Sequence, residues 1–185
     1  MKFIYSAATL LALASALVSA APLVKKSTIS IAANQLWVIT NPAPATIIQA
    51  GPNNQLAQVS IKNGNNEIDT IVSFPLGSNP APSSTSTCRF VIQNVSPSGS
   101  GIVQLFTLGG EVVSPLQAGQ VPYYNQYEGQ YNVNTNPSTP IDVTDVPCAF
   151  DSDGNLQFVI RPQNTDDYIT WTQSSTVGAF LEYAP

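Results

Sequence analysis

The sequence predicts an all-β protein, an antiparallel two-sheet β-sandwich in a single domain. Short apolar and β-branched runs alternate with turn-forming clusters along the chain, which is the pattern of half-buried strands. Fifteen prolines are spread over the 185 residues, and a proline has no N–H for either a helix or a strand ladder. After residue 20 no window combines a 3.6-residue apolar period with helix caps.

The elements follow in order. Leu36-Trp37-Val38-Ile39-Thr40 reads as a strand that stops at Asn41-Pro42-Ala43-Pro44. Ile68 to Phe74 is a second, ended by Pro75 and Gly77, since proline cannot donate and glycine has no side chain to pack. The stretch from Ser78 to Thr87 is a polar loop. Cys88 to Gln93 and Ile102 to Leu108 flank Ser96-Pro97-Ser98-Gly99-Ser100-Gly101, so they are expected to form a hairpin with a long turn. Leu156, Phe158 and Ile160 alternate with Gln157, Val159 and Arg161, and Val177, Ala179, Leu181 and Tyr183 share one face of a last strand. Trp37 and Trp171, each inside a strand-like run, are expected in the core. Strands of this kind bury one face each, and two packed sheets do so economically.

Residues 1–20 read as a secretory signal peptide: Lys2 supplies a positive start, Phe3 to Val18 an apolar run, and Val18-Ser19-Ala20 a small-x-small cleavage site. Residues 21–26 end in Lys25-Lys26, a dibasic pair suited either to a second processing protease or to a solvated tail, and the domain is expected to span residues 27–185. Ser6, Ser15 and Ser19 dilute the leading apolar run below what a membrane span needs, and no second apolar stretch follows. The expected location is secreted, extracellular or in a cell wall.

Within 27–185, three bases (Lys62, Arg89, Arg161) face all eleven acids, a net charge of −8. Such a chain repels phosphate backbones and anionic lipid, which excludes nucleic acid and acidic membranes as partners. The two cysteines, Cys88 and Cys148, are expected to form a disulfide in an oxidising compartment.

There is no histidine. That removes Ser-His-Asp and Cys-His nucleophile systems and the usual zinc and copper ligand sets, and no G-x-S-x-G elbow or phosphate-binding glycine loop is present. The expectation is a protein without catalytic residues, metal or cofactor. Paired-carboxylate chemistry of the glycosidase kind needs only two acids with separated pKa values, and Glu111, Glu128 and the aspartates are candidates by type. Asp151-Ser152-Asp153-Gly154-Asn155 invites comparison with a calcium loop, with Asp166 and Asp167 as further oxygen donors. Its glycine stands at the fourth position instead of the sixth and Pro162 where the bidentate acid belongs, so the segment reads better as a turn with Gly154 at positive φ.

Tyr123-Tyr124-Asn125-Gln126-Tyr127-Glu128-Gly129-Gln130-Tyr131-Asn132 is the most unusual composition in the chain. Flat aromatic faces mixed with amides suit sugar rings and their hydroxyls, which makes Tyr123, Tyr124, Tyr127 and Tyr131 candidate ligand contacts. An extended strand would place Tyr123, Tyr127 and Tyr131 on one side and Tyr124 on the other, unless Gly129 breaks the register. The alternative is a half-buried structural role for these tyrosines. Asn94-Val95-Ser96 is a glycosylation sequon followed by Pro97.

Thr87-Cys88-Arg89-Phe90-Val91-Ile92 with Gly99-Ser100-Gly101-Ile102-Val103-Gln104-Leu105-Phe106-Thr107-Leu108, then Cys148-Ala149-Phe150, Asp153-Gly154-Asn155-Leu156 and the closing Val177 to Tyr183, resembles the fungal secreted But-two C-terminal domain family, named for a protein that binds a ubiquitin-like-protein activating enzyme. The resemblance runs in outline from Thr28 to Tyr183. It implies an extracellular β-sandwich and carries over no catalytic residue. The intracellular partner in the family name conflicts with the export signal. The expected function is a non-catalytic extracellular or cell-wall-associated binding or structural protein, its partner a cell-wall polysaccharide or an extracellular protein. The alternatives are a glycan-binding module, a carboxylate glycosidase and a host-directed effector.

Overall fold

The computed structural model describes residues 27–41, 46–49, 55–83, 85–112, 116, 120–143 and 145–185. The expected signal peptide and dibasic segment lie outside them. The chain is all-β. Its strands are β1 (Ile29–Ala32), β2 (Gln35–Asn41), β3 (Ile47–Gln49), β4 (Leu56–Lys62), β5 (Asn65–Pro75), β6 (Thr87–Gln93), β7 (Ser96–Ser98), β8 (Ile102–Leu108), β9 (Tyr124–Asn132), β10 (Thr139–Pro140), β11 (Val146–Pro147), β12 (Asn155–Pro162), β13 (Asp166–Thr172) and β14 (Gly178–Tyr183). No helix among the described residues is long and apolar enough to cross a membrane.

Two antiparallel sheets form the sandwich. The smaller has the order β1-β14-β6-β11, and the larger runs β10-β9-β8-β12-β5-β4-β13-β7 with β2 and β3 branching from β5. Strand β5 pairs with β2, with β12 and, near its start, with β4. The larger sheet therefore divides at β5 and curls over the smaller one. Between the sheets, alternate residues interdigitate: Leu36 of β2, Val72 and Phe74 of β5, Phe90 of β6, Leu105 of β8, Phe158 of β12 and Leu181 of β14 belong to one core. The rings of Phe74, Phe90 and Phe158 meet edge-on or tilted at about 6.2–6.3 Å, a favoured aromatic arrangement. Truncating one such buried ring to alanine costs about 3–5 kcal/mol. Trp37 and Trp171 are both buried as expected, but in different places. Trp171 joins the inter-sheet core, whereas Trp37 lies in a second apolar cluster with Ile39, Ile71 and Val159 on the other side of the larger sheet.

Cys88 and Cys148 form a disulfide with Cα atoms 5.1 Å apart, across 60 residues of chain. It fastens the segment after β11 to β6, reinforcing the two-residue pairing of Val146 with Cys88 and Pro147 with Thr87.

The hairpin expected between Cys88–Gln93 and Ile102–Leu108 is not formed. β6 belongs to the smaller sheet and β8 to the larger, so the connection crosses the sandwich instead of reversing within a sheet. Part of the predicted turn, Ser96–Ser98, is itself strand β7 and pairs with β13. The buried carboxylate of Asp167 fixes the crossing by accepting the amides of Ser100 at 2.7 Å and Gly101 at 3.2 Å and the Ser100 hydroxyl. At Gly99, φ is +85° and a Cβ would stand 2.0 Å from the Asp166 carbonyl oxygen. Only glycine fits there.

A buried amide organises the start of β14. Gln173 accepts from the Trp171 indole at 3.0 Å and the Ala179 amide at 2.9 Å and donates to the Ala179 carbonyl at 3.0 Å. Gly178, at φ +108°, leaves room for it: a Cβ there would lie 2.1 Å from Gln173 Oε1 and 2.5 Å from the indole. Gly178→Ala is expected to lower the unfolding midpoint in urea sharply, because both the φ and the contact are forbidden to a side chain. Cys88→Ser is expected to cost about 2–5 kcal/mol in the same measurement, and an unchanged midpoint would show that the bridge constrains little.

Candidate functional site on the outer face of the larger sheet

The face of the larger sheet opposite the inter-sheet core carries the most chemically varied cluster among the described residues. β5 supplies Glu67, Asp69 and Ile71 at alternate positions, and β12 supplies Val159 and Arg161. β8 supplies Gln104 and Phe106, and β9 supplies Tyr124, Tyr127 and Gln130. The register aligns these side chains in rows: Gln130 stands opposite Gln104, Gln104 opposite Arg161, and Tyr127 opposite Phe106. Residues directly opposite on paired strands share a face and touch.

Asp69 has no solvent exposure. Burial, the largest influence, raises its carboxyl from an ordinary 3.8 to about 8; the Tyr124 hydroxyl and Arg161 oppose the rise and the charge of Glu67 adds to it. Tyr124 donates a short hydrogen bond to Asp69 Oδ2, while Oδ1 has no hydrogen-bond partner. Tyr124 is raised in turn, first by its own burial and then by Asp69. Beside them Glu67 accepts from Arg161 Nη2 at 2.7 Å, Arg161 Nε at 2.9 Å and Asn41 Nδ2 at 3.0 Å. The Arg161 guanidinium lies 5.6 Å from the centre of the Phe106 ring and 5.5 Å from that of Tyr124, within cation–π range. A carboxyl raised by burial, two residues from one paired with a guanidinium, is the kind of arrangement on which acid–base chemistry is built. Asp69 is sealed beneath Tyr124, however, and a proton donor must come within hydrogen-bond reach of substrate. What the arrangement offers to solvent is the edge of Arg161 and Glu67 and the rings beside them.

The four candidate tyrosines divide. Tyr124 stacks on Phe106 at 5.9 Å and Tyr127 meets the same ring edge-on at 5.4 Å, so these two share the outer face. Tyr127 is 38 % exposed. Its hydroxyl donates to Asp142, whose other oxygen accepts the Gln130 amide at 2.7 Å. Desolvation opposes ionisation of Asp142, but these hydrogen bonds outweigh it and hold the carboxyl below its ordinary value. Burial, then the bond to Asp142, pushes Tyr127 up to about 12. Tyr123 lies outside β9, its ring against Gly109 and 70 % exposed. Tyr131 corrects the sequence reading: it is 0 % exposed, packed edge-on against Phe90 at 5.2 Å in the inter-sheet core, and no surface ligand touches it. The even spacing fails because the β8–β9 register shifts on both sides of Phe106. Glu128 falls in one shift, opposite no residue of β8, and Gly129 beside it has φ +135°.

The other candidates are accounted for singly. Glu128 is buried, with one oxygen lacking a partner and its carboxyl raised by desolvation. Glu111 is raised by desolvation and then by the like charges of Asp151 and Asp153. The structure does not join Glu111 and Glu128 in one cleft with an opposed role for each. Asp151 Oδ1 accepts the amides of Asp153 and Asn155, its own amide donates to the Asn155 carbonyl, and Gly154 has φ +76°. This is the expected turn. Among the described residues no group of three or more acids or cysteines is placed to hold a metal ion. Asn94, at φ +56°, donates its side-chain amide to the Thr176 carbonyl at 2.6 Å and accepts from Asn136, so a glycan there would have to share the nitrogen with that bond.

Asp69 and Arg161 were not singled out from sequence. A lone acid inside Ile68 to Phe74 was the available signal, since a carboxylate in an apolar strand needs a buried partner. No family model matches the chain and no curated protein matches it.

Asp69 makes stability depend on pH. A carboxyl raised on folding binds its proton more tightly in the folded state, so its stabilising contribution is complete below about pH 4 and is lost as pH rises through about 8. Asp69→Asn, which has no titration at that position, is expected to flatten the decline of melting temperature between pH 4 and 9. Parallel profiles for the two proteins would refute the assignment.

Proposed function

We propose that this chain is an extracellular, non-catalytic β-sandwich that binds saccharide of a cell wall or extracellular matrix on the outer face of its larger sheet. The observation that carries the reading is the Phe106–Tyr127 ring pair beside the cross-strand pair Gln104–Gln130, with Arg161 opposite Gln104. Sugar rings present C–H faces to aromatic rings and hydroxyls to amides and guanidinium groups. The disulfide and the absence of a membrane-crossing helix among the described residues are compatible with an extracellular location, and the resemblance to a secreted fungal family agrees with it. A non-catalytic role is supported by how the nearby acids are used. Asp69 is enclosed, Glu67 is held by Arg161 and Asn41, and Asp142 by Tyr127 and Gln130.

Retention on insoluble glucan, chitin and mannan tests the proposal. Tyr127→Ala should weaken retention about tenfold, the loss of one aromatic contact of roughly 1.4 kcal/mol. Tyr127→Phe keeps the ring and should bind nearly as wild type. Unchanged retention by Tyr127→Ala with an intact circular-dichroism spectrum would remove the outer face from consideration.

A further inference from the structure

A separate hollow of about 440 Å³ lies where the β4–β5 hairpin meets β13 and β7. We propose that it is a second saccharide site, taking a short neutral sugar segment over Tyr168 between Lys62 and Asp166. The inference shares with the preceding reading only the class of ligand. It rests on a different surface.

Tyr168 is 52 % exposed. It stands opposite Ser60 on one side and Ser98 on the other, so its ring is bordered by small hydroxyl side chains and one face is open. In the adjacent row Asp166 stands opposite Lys62. Each of the other two bases of residues 27–185 is in an ion pair, Arg89 with Glu182 at 3.8 Å and Arg161 with Glu67 at 2.7 Å. Lys62 has no carboxylate within 4.0 Å among the described residues. One Asp166 oxygen accepts the Asn63 amide at 3.1 Å, which orients the carboxylate and leaves its second oxygen for a ligand. A cationic donor and an anionic acceptor thus stand at opposite register positions next to an open ring. That is the complement of a sugar, whose neighbouring hydroxyls both accept and donate and whose C–H face packs on an aromatic ring.

The alternatives fit less well. Lys62 is balanced by Asp166, and Asp167 lines the same hollow, so carboxylate and phosphate ligands meet no net positive field. The floor is preformed: Asp167 is fixed by Ser100, Gly101 and Asn164, and a hollow of this size falls within the range of small-ligand sites, about 300–1,000 Å³. Adjacent residues of a strand point to opposite faces. Tyr168 alternates with Ile169 and Trp171 of the inter-sheet core, so it points away from that core. Its strand β13 is separated from the β8–β9 ring pair by β12, β5 and β4 in the larger sheet, so the two sites are distinct surfaces and one chain of the protein can hold two saccharide segments.

Titration calorimetry of the secreted protein with soluble gluco-, chito- and manno-oligosaccharides tests this. Two sites per chain are expected for one of these ligands. Tyr168→Ala and Lys62→Gln should each weaken one site tenfold or more and leave the Tyr127-dependent site in place; Lys62 is exposed, so its replacement serves if Tyr168→Ala fails to fold. A single site abolished by Tyr168→Ala but not by Tyr127→Ala would uphold this inference and overturn the outer-face reading. Titrations unchanged by both hollow variants, a single site lost only in Tyr127→Ala, or no binding of any of the three ligands would overturn it.

Discussion

Alternation along β5 governs the architecture. Val72 and Phe74 enter the core between the sheets, while Asp69 and Ile71 point the other way, and both sets are buried. A strand buried on both faces needs cover on each side. The smaller sheet covers one. On the other, Val112 and Leu116 from the connection between β8 and β9 pack with Trp37, Ile39, Ile71 and Val159. Because β5 also pairs with β2, β4 and β12, a change in its register would move apolar side chains out of both clusters at once.

Few charges are present, and many of the carboxylates are used as anchors. Asp167 gathers the amides of the β7–β8 crossing, Asp142 the Tyr127 hydroxyl and Gln130 amide, and Asp151 the turn before β12. A carboxylate accepting backbone N–H groups replaces the water that the loop would otherwise need. Asp69 differs. Its Oδ1 has no hydrogen-bond partner and its carboxyl is raised to about 8, so it enters the core most cheaply as the neutral acid. The same low charge leaves Arg161 and Lys62 as distinct features of two separate parts of the larger sheet.

Much of the fold was legible in the sequence. The strands at 36–40, 68–74, 88–93, 102–108 and 156–161 lie within strands of the structure, because each shows a local apolar pattern and ends at proline, glycine or asparagine. The disulfide followed from two cysteines and the expectation of an oxidising compartment. The hairpin between 88–93 and 102–108 was misread for a physical reason: a Ser/Pro/Gly run shows that the chain turns, and the sheet it enters next depends on Asp167, more than sixty residues away. The tyrosine run was half legible. Its composition marked a place where aromatic rings reach the surface, but two register shifts against β8 separate Tyr127 from Tyr131, and a strand's sequence carries no signal of how its partner slips.

By itself the sequence determined the all-β class, the lack of histidine chemistry, the acidic surface and the cysteine pair, since these depend on composition and on neighbours a few residues apart. The tertiary structure decided which faces are covered and which side chains meet. Glu67 and Arg161 are 94 residues apart and in contact, Tyr124 reaches Asp69 across 55 residues, and Lys62 faces Asp166 across 104. Such meetings arise when strands distant in sequence pair in one sheet, and pairing is selected by burial of the whole face instead of by any local run of residues.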